Sequence, residues 1–292
     1  MLKLAKISLK IPYEAKELLS DFLIGQNASA VSEDLDDNGP LTLSALFPIE
    51  FDIEPIMESL YSYIEFINEN IIEFEPGDVK VEHIDRSSWE IWKSVLKTVR
   101  AGEKVVISPP WERYKCTGDE VSIIINPSMA FGTGHHETTK VCISYIEKMI
   151  GKHSTGSLLD VGCGSAVLSI AAVKLGVDEA VAFDIDPIAV KESNENMARN
   201  GVGGRIMTYC GPIQCVRGKF DIVVANISVE AILLMKSELK SRLQADGRLI
   251  LSGIPVMRME EIESGIINEG FELLDKQVDG EWVGMFLKHA EK

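Results

Sequence analysis

Three polar residues each close an apolar run in the second half of this 292-residue sequence: Asp160 after Leu158-Leu159, Asp184 after Val181-Ala182-Phe183, and Asn226 after Val223-Val224-Ala225. Asp160 leads through Val161 into Gly162-Cys163-Gly164-Ser165-Ala166 and then a stretch rich in Ala, Ile and Leu. That order predicts a strand, a tight turn and a helix, with glycines that let a ligand come close to the backbone. A nicotinamide dinucleotide fingerprint needs Gly-x-Gly-x-x-Gly/Ala. Here the sixth position is Val167 and the small residue comes one place early, at Ala166, so the turn better suits a nucleoside without a pyrophosphate. Asp184 follows at the end of the next strand, where an acid can accept both hydroxyls of a ribose. Each such charge-assisted bond contributes ~1.5–3 kcal/mol. Asp186, directly before Pro187, suits a helix N-cap instead. Asn226 falls at the same sheet edge, beside the first turn, where a side-chain carbonyl can accept N–H bonds from an amine and orient its lone pair. No Ser-His-Asp or Cys-His pattern offers a nucleophile.

These residues need a framework that brings strand ends together. From Leu158 onward the sequence alternates strands near 158–161, 180–183, 206–209, 222–225 and 249–252 with helices near 167–175, 187–200, 229–243 and 257–268. Gly176, Gly201, Gly247 and Gly270 read as helix stops or exit turns. Such alternation predicts a doubly wound, mostly parallel sheet with helices on both faces. The chain closes with two strands, 271–278 and 282–289, around the turn Asp279-Gly280. A terminal antiparallel hairpin added to such a sheet is the expectation for a class I, Rossmann-like methyltransferase with seven strands. Methyl transfer from a sulfonium is an in-line displacement, so positioning is the main task and no protein nucleophile is required. The implied cofactor is S-adenosylmethionine. Amino-nucleobase methyltransferases carry Pro-Pro-aromatic after the Asn or Asp of the fourth strand. Here Ile227 and Ser228 follow Asn226, which points to a protein amine as acceptor.

Before this region, residues 1–84 read β-α-β-β-α-β, the order of a small α+β ferredoxin-like domain: strands near 2–11, 30–33, 41–47 and 79–84, helices near 13–25 and 53–70. It holds no glycine-rich loop or catalytic cluster, so recognition or packing is its expected role. Residues 85–103 read as a connecting helix with Trp89 and Trp92 as packing residues, and 104–292 as the catalytic domain. Strands are expected near 104–108 and 121–125. Residues 126–139, Asn-Pro-Ser-Met-Ala-Phe-Gly-Thr-Gly-His-His-Glu-Thr-Thr, form a loop that ends where helical spacing begins at Cys142. A helix N-terminus after such a loop offers free N–H groups to a carboxylate. His135 and His136 have no third ligand at suitable spacing, so no metal site is expected.

Composition narrows the class. Hydrophobic residues make up 46% and charged residues 25%, as in ordinary globular chains. No apolar run approaches the roughly 20 residues of a membrane span. The N-terminus lacks a signal-peptide core, and a cytoplasmic protein is expected. The five scattered cysteines read as small buried hydrophobes rather than as disulfide or zinc ligands. Net charge is −16, and the first 100 residues hold 9 Lys and Arg against 19 Asp and Glu. Such a field opposes direct nucleic-acid binding and favours a basic partner, or else serves solubility alone.

Several stretches together resemble the PrmA family, the methyltransferases that modify the eleventh protein of the large ribosomal subunit. They are Pro110-Trp111, Ala130-Phe131-Gly132-Thr133-Gly134, His136, Thr138-Thr139, Asp160-x-Gly162-Cys163-Gly164-Ser165, Asp184-Ile185-Asp186-Pro187 and Val224-Ala225-Asn226-Ile227. The resemblance runs from about Trp89 to the C-terminus, with the first domain similar in layout. It implies S-adenosylmethionine contacts from Thr139, Gly162, Asp184 and Asn226, with Phe131, Gly132, Asp160 and Gly164 around them and Asn226 at the reacting centre. It also implies that the first domain grips a ribosomal protein whose lysine ε-amines or N-terminal α-amine accept methyl groups. The chain departs from the family pattern at His135, Glu137, Ala166 and Ser228. Another protein, an RNA or a small molecule as acceptor, or a binding module without transfer, are the competing readings. Oligomeric state is not legible in the sequence.

Overall fold

In the computed structural model the chain forms two compact units, 1–96 and 97–292. The structure describes residues 4–26, 28, 30–34, 41–48, 52–75, 79–84, 97–126, 136–150 and 156–290. The first unit has strands β1 (Leu4–Ile11), β2 (Ala30–Asp34), β3 (Leu41–Pro48) and β4 (Lys80–Ile84), with helices α1 (Lys16–Gly25) and α2 (Ile53–Asn70). The strand order is β2-β3-β1-β4, with every neighbouring pair antiparallel, which is the ferredoxin-like arrangement. Period-2 residues Ile7, Leu9 and Ile11 of β1 and Leu41, Leu43, Ala45 and Phe47 of β3 pack on Leu19, Leu23, Leu60, Ile64 and Ile67 of the helices. Asp52 caps α2 by accepting the Glu54 N–H at 3.2 Å.

The second unit begins differently from the expectation. Residues 85–96 of the expected connecting segment lie outside the described residues, but its last part is extended. Val99–Arg100 (β5) pairs antiparallel with Val105–Ser108 (β6), which pairs parallel with Val121–Ile124 (β7). Glu147 explains the turn between β5 and β6: its carboxylate accepts the N–H groups of Glu103, Lys104 and Val105 at 2.8–3.1 Å. That carboxylate sits where a Cβ on Gly102 would fall, at 2.6 Å. Three backbone N–H groups in non-helical geometry thus find a partner that a helix would not give them.

Then follow α3 (Glu137–Ile150), β8 (Ser157–Val161), α4 (Val167–Leu175), β9 (Glu179–Asp184), α5 (Pro187–Asn200), β10 (Ile206–Cys210), β11 (Phe220–Asn226), α6 (Val229–Arg242), β12 (Leu243–Pro255), α7 (Met259–Asn268), β13 (Phe271–Asp279) and β14 (Trp282–His289). The sheet order is β10-β9-β8-β11-β12-β14-β13, parallel except for β14, which is antiparallel to both neighbours. This is the doubly wound class I methyltransferase sheet with its terminal hairpin. One face carries the core of α3, α4 and α5 and the small sheet β6–β7; the other carries α6 and α7. Helix α4 is buried on nearly every side, as a helix apolar all round must be.

One boundary moves. Gly247 is not in a helix exit turn but inside β12, which starts directly after α6. A Cβ on Gly247 would meet the Leu243 side chain at 2.8 Å and the Asp221 carbonyl at 3.1 Å, so glycine there serves close approach within the strand. Of the five cysteines only Cys142 and Cys163 are buried; Cys116, Cys210 and Cys215 are exposed. No helix among the described residues is long and apolar enough to cross a membrane.

Candidate active site

The site is built on the turn between β8 and α4. Gly162 (φ +69°) and Gly164 (φ +51°) adopt left-handed backbone, and so does Ala166 (φ +60°), the one non-glycine residue among those described to do so. Three consecutive backbone groups of this turn are held from outside it. The Cys163 N–H donates to the Phe183 carbonyl at 2.9 Å, the Gly164 N–H to Asp184 Oδ2 at 3.0 Å, and the Ser165 carbonyl accepts from Asn196 Nδ2 at 3.2 Å. A left-handed alanine costs about 1–2 kcal/mol, and these bonds are what hold it there. Gly162 has a second requirement: a Cβ would lie 2.5 Å from Ile227 Cγ2. The residue after Asn226 therefore packs directly over the turn.

Asp184, at the end of β9, already accepts two backbone N–H groups, Gly164 on Oδ2 and Asp186 on Oδ1, both at 3.0 Å. A carboxylate offers about four acceptor positions. The two that remain suffice for a pair of vicinal hydroxyls. Asp186 caps α5, accepting the Ile188 N–H at 2.8 Å ahead of Pro187.

Asn226 ends β11 in register with Ser252 of β12. Side chains alternate along a strand. Val224 and Ile250, two residues back, lie in the core beneath α3, whereas Val223, Ala225 and Leu251 lie in the opposite one. Asn226 thus projects toward the α3 side. Its Oδ1 is buried with no hydrogen-bond partner among the described residues. Thr139, in the first turn of α3, is 1% exposed and its Oγ1 is likewise unpartnered. Its neighbour one turn on, Cys142, packs in that same core. A buried polar atom without a partner costs about 1–3 kcal/mol, so two of them on one face argue for a polar group that arrives from outside.

Helix α3 starts five residues before Cys142 because His136 caps it. Its Nδ1 accepts the Thr138 N–H at 3.3 Å and sits 2.8 Å from Thr138 Oγ1, and its carbonyl accepts the Thr139 and Lys140 N–H groups. His136 also packs edge-on against Trp282 at 5.1 Å. Phe131 and Gly132 lie outside the described residues, as does His135. Among the described residues no three His, Cys, Asp or Glu side chains cluster as metal ligands. The departures at Glu137 and Ser228 have local structural uses. Glu137 places an acid in the first turn of α3, and Ser228 caps α6 by accepting the Ala231 N–H at 3.4 Å.

Asp160, expected as a cofactor contact, is bonded to the start of α4. Its Oδ2 accepts both the N–H and the hydroxyl of Ser169, at 3.1 and 2.6 Å, which ties the first turns of α4 to β8. Burial pushes its carboxyl up from 3.8 to about 6; the Ser169 bonds oppose the rise and the charge of Asp184 adds to it. The folded chain therefore binds more protons than the unfolded one between about pH 4 and 6, and stability falls as pH rises through that window. Asp160→Asn removes this titration. The difference in melting temperature, variant minus wild type, is expected to grow in the variant's favour from pH 5 to pH 7.5 by about 1 kcal/mol, a few degrees. A pH-independent difference in thermal melts would contradict the assignment.

The sequence reading missed Ser169 and Asn196. Ser169 sits at an ordinary helical position; only the pairing of Asn196 with Asn200, four residues on, hinted at a polar task on a helix face.

A family model described as "Ribosomal protein L11 methyltransferase (PrmA)" matches residues 4–290, so the likeness includes the first unit and does not begin only near Trp89. A ribosomal protein L11 methyltransferase of Clostridium perfringens is 34% identical over 293 residues, covering 92% of this chain and 93% of the relative. One from Thermoanaerobacter pseudethanolicus is 37% identical over 248 residues, covering 85% and 80%. Among solved structures, a ribosomal protein L11 methylase from Lactobacillus delbrueckii subsp. bulgaricus aligns with a TM-score of 0.62 at 31% identity, covering 67% of this chain and all of that one. Sheet order, glycine turn and match over nearly the full length agree: this chain belongs to the ribosomal protein L11 methyltransferase family, and its cofactor is S-adenosylmethionine.

Proposed function

We propose that the chain methylates amine nitrogens, lysine ε-amines or an N-terminal α-amine, of ribosomal protein L11. The observation that carries this reading is the buried, unpartnered Asn226 Oδ1 at the end of β11, beside the glycine turn. An acceptor there suits the N–H groups of an incoming amine and turns its lone pair toward the methyl. When bound, S-adenosylmethionine supplies that methyl as an electrophile on a sulfonium. Asp184 holds the ribose hydroxyls with its two spare acceptor positions. Gly162 and Gly164 keep the turn open to the nucleoside, and Asp160 braces the helix behind it. Thr139 and the N-terminus of α3 receive the polar amino-acid end; the family resemblance adds Phe131 and Gly132 as cofactor contacts. No residue of the set has to act as a nucleophile.

Recognition of the protein substrate is assigned to the first unit. Its excess of acids complements a basic partner. A groove of about 470 Å³ between α2 and β4, lined by Ile53, Glu54, Met57, Glu58, Tyr61 and Val81, offers both charge and apolar surface. Incubation with tritiated cofactor and ribosomes from cells lacking this activity is expected to label L11 alone among the ribosomal components. Label on RNA, or on no component, would overturn the substrate.

A further inference from the structure

Asn196 stands apart among the polar residues around the glycine turn because it faces two segments at once. It lies on α5, 1% exposed, and each end of its amide is used. Nδ2 donates to the Ser165 carbonyl at 3.2 Å, inside the glycine turn, and Oδ1 accepts the Asn126 N–H at 3.1 Å, just past the end of β7. Asn200, one turn further along α5, has a simpler task. Its amide clasps the backbone of Ile124, accepting its N–H at 2.9 Å and donating to its carbonyl at 2.7 Å. Asn200 thus fastens β7 to the helix without touching the turn.

The Ser165 carbonyl belongs to the peptide that enters Ala166, the left-handed alanine. Holding that carbonyl fixes the plane of the peptide whose N–H bonds back to the Cys163 carbonyl at 2.8 Å. Cys163 and Gly164 are held by β9; only Ser165 is held by α5. Without Asn196 the Ser165 carbonyl and the Asn126 N–H both lose the bond that ties them to α5.

We propose that Asn196 is a positioning residue for S-adenosylmethionine, coupling the glycine turn to the backbone at Asn126, just past β7, so that the turn is set before the cofactor arrives. This rests on the reading of Gly162 to Ala166 as the cofactor turn. Asn196 need not touch the cofactor. Its effect is to remove the freedom the turn would otherwise lose on binding, so it shows in affinity.

The test is calorimetric titration of S-adenosylmethionine into the full chain, with thermal melts of the same samples. Asn196→Ala is expected to weaken binding 5- to 20-fold. Asn196→Asp, which keeps the acceptor for Asn126 but turns an anion toward the Ser165 carbonyl, is expected to weaken it at least as much. Asn200→Ala is expected to lower the melting temperature as much as Asn196→Ala does while leaving affinity within twofold. Affinity within twofold of wild type in Asn196→Ala, or equal weakening in Asn200→Ala, would overturn the proposal. Should Asn196→Ala not fold, an unchanged affinity in Asn196→Asp would overturn it by itself. Asp184→Ala run alongside separates the two levels: unchanged affinity there would bring down the cofactor-turn reading, whereas a loss there with none at Asn196 would bring down only the coupling.

Discussion

Replacing Asn226 by alanine is expected to slow methyl transfer by about 10²-fold in single turnover at saturating cofactor, with cofactor affinity changed less than fivefold. The size follows from geometry. A displacement that depends on alignment loses about that factor when an acceptor drifts by roughly 1 Å. Asn226 is held by its strand pairing to Ser252, and by Ile227, which packs over the turn at Gly162. A Cβ on Gly253 would also meet the Ile227 carbonyl at 2.5 Å, so the backbone after Asn226 is gripped from both neighbouring strands. Removing the side chain leaves this frame in place and takes away only the oriented acceptor. Asn226→Asp keeps an acceptor in the same place and should recover part of the rate. If rate and affinity fell equally in Asn226→Ala, the residue would bind cofactor and not orient the amine.

The order of elements was legible wherever two periodicities agreed. Apolar runs of four or five residues alternating with 3.6-period helices can close only as a parallel sheet, and Asp279-Gly280 announced the hairpin. The left-handed C-cap at Gly201 and the positive-φ Gly270 just past the last helix were legible for the same reason, a backbone conformation that few other residues accept. What the sequence hid were side chains that replace backbone partners. Glu147 gives the 102–105 turn its hydrogen bonds from about 45 residues away, so 97–103 carried a helical pattern that tertiary contacts overrode. His136 caps α3 in place of the usual Ser, Thr, Asp or Asn, which concealed the true start of that helix. At the site, Asp184 and Asn226 were visible because each ends a strand. Asp160 also ends an apolar run, yet Ser169 nine residues later turns it inward. A strand-end acid can bond the neighbouring turn, as Asp184 does, or a helix, as Asp160 does, and only the packed structure distinguishes the two.

Asp184→Ala is expected to weaken S-adenosylmethionine binding by at least about 10²-fold. Two charge-assisted bonds to the ribose at ~1.5–3 kcal/mol each give ~3 kcal/mol as a lower figure, and 1.4 kcal/mol is a factor of ten. The same substitution also strips the acceptor from Gly164 and Asp186, so the turn loses an anchor together with the ligand contact. Asn at this position separates the effects. Its single carbonyl can keep only one of the two backbone bonds, and its neutral charge weakens the ribose bonds, so Asp184→Asn should fall between wild type and alanine. The demethylated product, S-adenosylhomocysteine, has the same ribose but no sulfonium charge. A ribose role requires that Asp184→Ala weaken both ligands to the same extent. Loss confined to the sulfonium ligand would mean that Asp184 acts by long-range attraction and not by holding the hydroxyls. Because such bonds form equally in the ground and transition states, the rate at saturating cofactor should hardly change. Asp184 and Asn226 would then divide the work, affinity at the end of β9 and alignment at the end of β11.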